Sequence, residues 1–362
     1  MSNAPGLDFL VDRKDWKRTR FVESQPPGDL GPGQVRFRVD RFAFTANNVS
    51  YALSGDMLGY WNFFPAEEGW GRIPTMGFGD VIASRHEGVA VGTRCFGFYP
   101  MSRYLVIEPR EASPRQIVDG VAHREGLAPA YNQYSPVDRD SLYRADQEDE
   151  LILLRGLFMT SFLAEDFLVD QELGEKVVLI TSASSKTSIA LAHQVAKRGQ
   201  AKAVGLTSAG HLDFAKGLGC YDQVILYDEI GSLPADVPTM LVDMAGNERV
   251  VRSIHEHYQA SLLYSCAIGA THWEATGSLD DLPGPKREFF FAPGQIQKRI
   301  QDWGAAGFQK RLGASWSGFA DGARSWLTVT RGAGRKAVET VYQATLAGEA
   351  LPSEGHVLTL WD

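Results

Sequence analysis

The first 110 residues alternate polar and apolar positions in short runs that glycine and proline interrupt. Residues 34–39 place apolar side chains at every second position, which is the pattern of a strand with one buried face. Residues 79–84, 92–98 and 104–107 are further short runs with strand-like composition. Short strands separated by turn signals predict a compact β-barrel-like unit. Residues 111–150 are polar and irregular, and we expect them to form a connector.

At Leu151 the pattern changes to helical spacing and longer apolar runs. Residues 151–169 repeat apolar side chains at helical intervals. Residues 176–181 form a nearly continuous apolar run, which is typical of a strand buried on both faces of a parallel sheet. Strand-like and helix-like segments then alternate as far as residue 265. This order predicts an α/β fold with a Rossmann-type, doubly wound parallel sheet.

These patterns divide the chain into three segments. Residues 1–150 are predicted to form the β-rich domain with its connector, and residues 151–290 to form the parallel-sheet domain that binds a dinucleotide. Residues 291–362 mix glycine with aromatic and basic residues. We expect this last segment to return to the first domain.

Composition narrows the function classes. The chain has 362 residues, and 36 Lys plus Arg against 44 Asp plus Glu give a net charge of −8. A chain with this negative net charge is expected to bind nucleic acid or an anionic membrane poorly. No apolar run in the sequence is long enough for a transmembrane helix. Three widely spaced cysteines and the absence of a secretory signal indicate a reducing compartment. We therefore expect a cytoplasmic protein with a small-molecule substrate.

The turn after the first strand of the parallel sheet is the predicted phosphate-binding segment. It reads Ser182-Ala183-Ser184-Ser185-Lys186-Thr187-Ser188. Ligands bind at the carboxyl ends of parallel strands, and the N–H groups of a helix N-terminus bind phosphate. The usual GxGxxG is absent, although strand, turn and helix follow in the expected order. The alternative is a serine-rich helix cap with a solvated lysine. A P-loop is disfavoured because Ser185 and Ile180 stand where its glycines would be.

The next strand ends in hydroxyl residues rather than in an acid. Thr207, Ser208 and His211 occupy the region in which an NAD-specific site places a carboxylate. The first carboxylate after Thr207 is that of Asp213. This pattern favours NADP(H) over NAD(H), with ordinary loop chemistry as the alternative.

Several stretches, taken in their order and spacing, resemble the medium-chain dehydrogenase/reductase superfamily, in its zinc-independent quinone-oxidoreductase branch. The stretches are residues 47–55, 73–82, 173–180, 218–225 and 242–246. They resemble, in turn, its Asn-x-x-Asp and Ser-Gly segment, its Pro-x-x-x-Gly strand, the entry strand of its parallel sheet, and its Leu-Gly-Ala-Asp and Asp-x-x-Gly elements. The similarity extends over residues 30–300.

The resemblance implies a GroES-like, partly open barrel that carries catalysis and a Rossmann-type domain that binds NADP(H). It implies that residues 182–188 hold the pyrophosphate and that Thr207, Ser208 and Tyr227 lie near the 2′-phosphate. Residues implied to flank adenosine and nicotinamide are Gly246, Ala267 and Gly269.

The resemblance also implies that Asn48 and Tyr51 face the nicotinamide or the substrate. In hydride transfer to an unsaturated carbonyl, the protein positions the partners and donates a hydrogen bond to the developing enolate oxygen. We expect Tyr51 to be the donor, with Asn48 as second candidate; the alternative for Tyr51 is a half-buried packing aromatic. Zinc-dependent relatives carry Gly-His-Glu where this chain has Gly77-Phe78-Gly79, so we expect no metal.

The predicted function is NADP(H)-dependent, zinc-independent reduction of a carbonyl or an activated double bond in a quinone-like or enone-like small molecule. A homodimer is one option for the assembly. Because the phosphate turn lacks glycine, a second class of function stays open. It is a related scaffold that has lost hydride transfer and acts as an NADP-binding sensor or cleaves a carbon–carbon bond.

Two further clusters each have a structural alternative. His255 and His257 are two positions apart, which points their rings to different faces of a helix, so we expect a solvated face rather than a metal site. Residues 60–64, together with Tyr131 and Tyr134, either line a substrate pocket or pack in a core.

Overall fold

A computed structural model describes residues 4–268, 279 and 281–362. The chain divides into two compact units: unit 1 comprises residues 1–153 and 327–362, and unit 2 comprises residues 154–326. Unit 2 therefore extends past residue 290, where the sequence predicts the domain boundary. The reason is that aromatic residues of its last helix, Trp316 and Phe319, pack on Phe158 near its beginning.

The first part of unit 1 is rich in strands. Its elements are β1 (Gly6–Asp12), β2 (Thr19–Ser24), β3 (Val35–Phe44), α1 (Ala46–Leu53), β4 (Trp70–Gly71), β5 (Pro74–Ser84), β6 (Arg94–Pro100), β7 (Tyr104–Ile107), β8 (Pro109–Ala112), β9 (Ile117–Asp119) and β10 (Gln133–Pro136). The segment 111–150, expected to be an irregular connector, contains β9 and β10, and β10 pairs with β6. Strands of three or four residues are too short to show an alternating pattern in the sequence.

The helix α2 (Glu148–Val169) leads from the first unit into the second. The elements that follow are β11 (Val177–Ile180), α3 (Lys186–Arg198), β12 (Lys202–Thr207), α4 (Leu212–Gly217), β13 (Gln223–Leu226), β14 (Thr239–Asp243), α5 (Glu248–Tyr258), β15 (Leu262–Ala267), β16 (Arg287–Phe289) and α6 (Ala292–Ala323). α6 consists of two helical segments, because Gly304, with φ of 70°, interrupts its helical backbone.

The sheet of unit 2 is parallel, and its strand order is β13-β12-β11-β14-β15-β16. This is the order of a doubly wound dinucleotide-binding sheet, so the expected Rossmann-type arrangement is confirmed. The chain winds outward from β11 on one side and from β14 on the other, which places the topological switch point between these two strands. Buried Leu179 and Leu241 on the strands share one core with Val251 and Ile254 of α5.

The chain returns to unit 1 through β17 (Thr328–Ala333), α7 (Gly334–Leu346) and β18 (Glu354–Thr359). The main sheet of unit 1 has the order β17-β18-β3-β5-β6-β10-β9-β8, with β7 also paired to β3. Among the described residues this sheet does not close, since β17 and β8 remain its edges. A smaller sheet has the order β2-β1-β4. The predicted β-rich, partly open domain is therefore confirmed.

The chain leaves unit 1 and re-enters it at neighbouring points. Leu153 is the last residue of the first part of unit 1, and Leu327 is the first residue of its second part. Both side chains pack on Gly355 of β18, where an added Cβ would lie 2.5 Å from a Leu153 Cδ atom and 3.3 Å from a Leu327 Cδ atom. Any side chain at this position would therefore separate the two ends.

Candidate functional site

Asp243, the last residue of β14, joins the strand ends at the switch point of unit 2. Its carboxylate is 1% exposed, and its Oδ1 accepts hydrogen bonds from the Thr181 hydroxyl at 2.8 Å and from the Gly246 N–H at 3.2 Å. Its Oδ2 accepts from Arg287 at 2.6 Å. Thr181 directly follows β11, so this carboxylate connects the two strands between which the winding reverses. Doubly wound sheets bind their ligands at this place.

Ser182 turns the chain between β11 and α3. Its φ is +52°, in the left-handed region that glycine normally occupies. Its N–H donates to the Tyr227 hydroxyl at 3.0 Å, and the next residue, Ala183, is fully buried. In glycine-rich dinucleotide turns, the first glycine makes the tight turn possible. Here a serine adopts the left-handed conformation, so the chain turns tightly without a glycine.

Two serine hydroxyl groups connect this turn to the helix that follows through three hydrogen bonds. Ser185 is the N-cap of α3, and its Oγ accepts from the Ser188 N–H at 3.2 Å. The Ser185 hydroxyl donates to Ser188 Oγ, and the Ser188 hydroxyl donates to the Thr181 carbonyl, both at 2.8 Å. Ser188 is fully buried. The close approach of strand and helix, which the glycine motif achieves by small size, is here fixed by hydrogen bonds.

Polar side chains from the ends of β11 and β12 converge beside the start of α3. His211 Nδ1 lies 3.3 Å from Ser184 Oγ and 3.5 Å from Ser208 Oγ. Thr207 is 1% exposed at the end of β12, whereas Ser208 is exposed. Tyr227 is half-buried, and its hydroxyl accepts the Ser182 N–H. The structure thus brings a histidine and two serines together at the edge where a cofactor is expected.

The other predicted cofactor residues lie at three neighbouring strand ends. Lys186 and Thr187 are half-buried and form the first turn of α3. Gly246 has φ of +66° in the turn after β14, and Ala267 ends β15 with 4% exposure. Gly269 lies outside the described residues. Five of these sheet strands run parallel from β11 to β15, so their carboxyl ends share one edge.

The chemistry of this edge fits a dinucleotide with a 2′-phosphate. The first N–H groups of an α-helix have no acceptor within the helix, and they bind phosphate oxygens. Serine hydroxyls and histidine add donors for phosphate. No carboxylate occurs between Thr207 and Asp213, so no negative charge in this stretch repels a 2′-phosphate, and the carboxylate with which NAD-specific sites bind the ribose 2′-hydroxyl is missing there. The residues present therefore fit NADP(H).

In unit 1 the predicted donor, Tyr51, forms a cluster with two other tyrosines, Tyr60 and Tyr131. The Tyr51 ring stacks on that of Tyr60 with centroids 4.4 Å apart, and it meets Tyr131 edge-on at 6.2 Å. Asn47, one turn earlier on α1, donates to the Tyr51 hydroxyl at 2.9 Å. Burial, reinforced by the neighbouring Tyr60, raises the pKa of Tyr51 to about 12. Burial also raises the pKa of Tyr60 and Tyr131, so all three hydroxyls keep their protons at neutral pH.

Asn48, the second predicted donor, is engaged within the fold. Its Oδ1 accepts from the N–H of Thr45 at 2.8 Å and from the hydroxyl of Thr45 at 3.0 Å, and Thr45 is the N-cap of α1. Its Nδ2 donates to the Pro74 carbonyl at 2.9 Å, and the residue is 5% exposed. Asn48 thus fixes the beginning of the helix that carries Asn47 and Tyr51.

Sequence reasoning missed the partners of the predicted residues. Asn47 lies four positions before Tyr51, and this spacing on a helix was the signal that could have identified it. The sequence suggests Tyr60 and Tyr131 as residues of a substrate pocket or of a core, but no pattern in the sequence links either of them to Tyr51. Arg287 is separated from Asp243 by 44 positions, and only the parallel pairing of β14, β15 and β16 brings them together.

The interpretation of His255 as part of a solvated helix face is wrong. The residue is fully buried, its Nδ1 lies 2.9 Å from the Pro283 carbonyl, and its Nε2 lies 2.9 Å from the Ser265 hydroxyl. A histidine on the apolar face of an amphipathic helix satisfies both ring nitrogens within the core. Within the described ranges, His, Cys, Asp and Glu side chains form no group of three or more that could hold a metal ion.

Solved structures with a similar fold include several oxidoreductases. The quinone oxidoreductase from Coxiella burnetii has a TM-score of 0.54 and 15% identity, with 98% of this chain and 99% of that chain covered. CurA from Vibrio vulnificus, solved with NADPH, has a TM-score of 0.60 and 11% identity, with the same coverage. The yhdH oxidoreductase from Salmonella enterica, solved with NADP, has a TM-score of 0.52 and 13% identity, again with 98% and 99% covered. The chain thus shares its fold with these oxidoreductases, which agrees with the fold that the resemblance implies.

The family can be stated more closely. A family described as "Protein of unknown function (DUF2855)" matches residues 42–350, and the chain belongs to this family. No curated protein sequence matches the chain. In the part of the chain that the structure describes, no helix has both the length and the apolar character needed to cross a membrane.

Proposed function

We propose that this protein binds NADP(H) at the switch point of unit 2 and reduces a carbonyl or an activated double bond of a small molecule without zinc. The observation that supports the proposal best is the backbone of Ser182, which takes the left-handed conformation of a dinucleotide turn directly before the N-terminus of α3. The NADPH and NADP complexes of proteins with this fold give the proposal its cofactor.

In this proposal the residues at the sheet edge divide into three groups. The α3 N-terminus, with Ser184, Ser185, Lys186 and Thr187, binds the pyrophosphate. The 2′-phosphate is bound by Thr207, Ser208 and His211, and the Tyr227 hydroxyl next to them accepts the Ser182 N–H and thereby holds the turn. Residues proposed on the adenosine and nicotinamide sides are Gly246, Ala267 and Gly269. The cofactor supplies a hydride, and the chain supplies position and charge.

Tyr51 is the proposed hydrogen-bond donor to the substrate oxygen. The pKa of about 12 means that it donates without ionising while negative charge develops on that oxygen. Asn47 orients its hydroxyl, and Tyr60 fixes the plane of its ring by stacking. Asn48 acts indirectly. Its side-chain amide forms hydrogen bonds with Thr45 and with the Pro74 carbonyl, and these bonds position the helix that carries Tyr51.

A second candidate function is a related scaffold that has lost hydride transfer, as a sensor of NADP or a carbon–carbon bond-cleaving enzyme. The observation that favours it is that several polar groups of the turn already form hydrogen bonds within the protein. The Ser182 N–H is taken by Tyr227, and the Ser185 and Ser188 hydroxyls bond to each other and to Thr181. Fewer donors of the turn are then left for the pyrophosphate than in a glycine-rich turn.

Titration with NADPH, followed by protein fluorescence and by melting temperature, tests the binding step. We expect wild type to bind NADPH with a Kd in the micromolar range. Lys186→Ala should bind NADPH about tenfold more weakly, because the substitution removes the ammonium group that is proposed to contact the phosphates. Lys216→Ala is the matched control, since Lys216 is an exposed lysine of α4. Full NADPH affinity of Lys186→Ala would refute the phosphate assignment, and no binding at millimolar NADPH would refute the proposal itself.

Turnover separates the two candidate functions. A panel of enones and quinones is mixed with NADPH, and NADPH oxidation is recorded for wild type and for Tyr51→Phe. The reductase proposal expects oxidation with at least one member of the panel and roughly a hundredfold lower kcat for Tyr51→Phe, with NADPH affinity unchanged. Tight NADPH binding without any oxidation would favour the second function.

We further propose a small-molecule substrate, a cytoplasmic location and a homodimer. A net charge of −8 supports a protein that works on small molecules rather than on nucleic acid, and a cytoplasmic location is consistent with three free cysteines. The homodimer is tested by light scattering of the purified protein.

A further inference from the structure

A cavity of about 350 Å³ lies within unit 1, and none of the three clustered tyrosines lines it. Its walls come from β1, from the end of β2, from residues 63–65, from residues 100–106, and from His123 with Arg124. Ligand pockets of globular proteins begin at about 300 Å³. The cavity therefore has room for a compact ring system, and the proposed function gives it no role.

Most of the wall is apolar, and part of it is flat. Phe63 and Phe64 are 1% and 4% exposed, and Leu7 and Leu105 complete the buried part of the surface. The Arg124 guanidinium lies 4.7 Å from the centre of the Phe64 ring, which fixes the ring by a cation–π contact. Rigid aromatic walls of this kind favour a planar ligand, because no side-chain freedom is lost when it binds.

Two hydrogen-bond donors at this cavity have no acceptor among the residues that the structure describes. Ser102 lines the cavity and is 2% exposed, and its hydroxyl has no hydrogen-bond partner among the described residues. The same holds, in the described part of the chain, for Nε of Arg72. Asp8 neighbours both, because it forms a β-bridge with Ser102 and an ion pair of 2.7 Å with the Arg72 Nη2. Buried donors without acceptors are uncommon in folded proteins, since each costs free energy.

The charges at the cavity are already balanced. Arg72 pairs with Asp8, and Arg124 pairs with Asp119 at 2.9 Å. Burial and the adjacent Arg124 lower the pKa of His123, so its ring is neutral near pH 7. A charged ligand would therefore meet no unpaired opposite charge, and an anion would be repelled by Asp8.

We infer that this cavity is a second ligand site, which takes an uncharged planar aromatic molecule whose carbonyl oxygen accepts hydrogen bonds from Ser102 and Arg72. The ring system lies against Phe63 and Phe64, and the carbonyl oxygen is the acceptor that the two donors lack among the described residues. Phe63 also packs edge-on against Tyr131 with centroids 5.6 Å apart, so one buried ring contacts both the ligand and the tyrosine cluster.

Calorimetric titration with naphthamide, an uncharged aromatic amide, tests the site. The full chain is titrated with saturating NADPH present, so that binding at the proposed cofactor edge does not contribute. We expect binding by wild type and at least fivefold weaker binding by Ser102→Ala, which loses one of the two donors. The melting temperature of this variant should not fall, because its hydroxyl makes no hydrogen bond in the fold.

Thr345→Val is the matched control, since Thr345 Oγ1 is also buried without a partner among the described residues and does not line the cavity. It should bind naphthamide as wild type does. Methylnaphthalene, without an acceptor, and naphthoate, with a negative charge, should bind at least fivefold more weakly than naphthamide.

Equal affinity of wild type and Ser102→Ala for naphthamide would overturn the inference, as would stronger binding of naphthoate or no binding at all. Val106→Trp offers an independent check, because Val106 lines the cavity and is 40% exposed, so the larger ring fills the opening without disturbing the core. It should abolish naphthamide binding, whereas Val91→Trp, at an exposed valine outside the lining, should not. Binding of naphthamide and binding of NADPH are separate readouts, so either can fail alone.

Discussion

His255 is a titratable group that the fold keeps neutral. A carbonyl can only accept, so the contact with Pro283 requires the proton on Nδ1, and Nε2 then accepts from the Ser265 hydroxyl. Burial, with the nearby Arg287 in addition, lowers the pKa of this histidine. The unfolded chain takes up a proton below about pH 6.5, whereas the folded chain does so only at lower pH, so this contribution to stability is complete above pH 6.5 and decreases below it.

His255→Gln is expected to change this pH dependence. Between roughly pH 7.5 and roughly pH 5.5, wild type should lose up to about 1.4 kcal/mol of unfolding free energy per pH unit more than the variant, because glutamine takes up no proton. Urea denaturation at both pH values measures the difference, and all other ionisable groups are common to the two proteins. Identical slopes would show that His255 titrates alike in the folded and unfolded states.

At the scale of elements, α1 shows how two adjacent asparagines take separate tasks. Asn48 is buried and satisfies Thr45 and the Pro74 carbonyl, whereas Asn47 is exposed and reaches the Tyr51 hydroxyl. The first supports the helix, and the second supports the proposed donor. The two tasks predict opposite results for the same substitution.

Asn48→Ala should lower the unfolding free energy by about 2 kcal/mol, because a buried carbonyl and a helix cap lose their partner. Asn47→Ala should stay within about 0.5 kcal/mol of wild type but lower kcat about fivefold, because the Tyr51 hydroxyl loses its orienting bond. Chemical denaturation and NADPH oxidation measure the two effects. If Asn47→Ala reduced stability and left kcat unchanged, Tyr51 would not be the donor.

The elements of unit 2 could be predicted from sequence because they carry their own signal. The central residues of three of its strands, 177–180, 203–206 and 240–242, are uninterrupted apolar runs, and helices occur between these runs. α6 escaped prediction, since glycines interrupt its pattern and its backbone breaks at Gly304. The phosphate turn is local in sequence and could be found, whereas the tyrosine cluster joins α1 to residue 131 through tertiary packing alone.

For the whole molecule, unit 2 is an insertion into unit 1. The two leucines at which the chain leaves and returns both pack on Gly355, and β18 lies between β17 and β3 in the main sheet of unit 1. An interior strand cannot be removed without exposing the hydrogen-bonding edge of its neighbour. Unit 1 therefore needs its C-terminal part but not the segment between its two parts.

A chain in which a short glycine-serine linker replaces residues 154–326 should fold, because the linker joins neighbouring points and costs little loop entropy. Residues 1–153 alone should not fold cooperatively, since β18 is missing. Near-ultraviolet circular dichroism and urea unfolding compare the two chains. A folded fragment of residues 1–153 would contradict this account of the sheet.

The serine turn has a consequence for the recognition of nucleotide folds in other sequences. Searches for the glycine motif require glycine at fixed positions. The structure requires instead one residue with left-handed backbone conformation directly after a buried strand, and a hydrogen bond from the following helix to the end of that strand. Ser182 meets the first requirement and Ser188, six positions later, meets the second. A search that accepts small hydroxyl residues at these two positions would detect chains that a glycine pattern rejects.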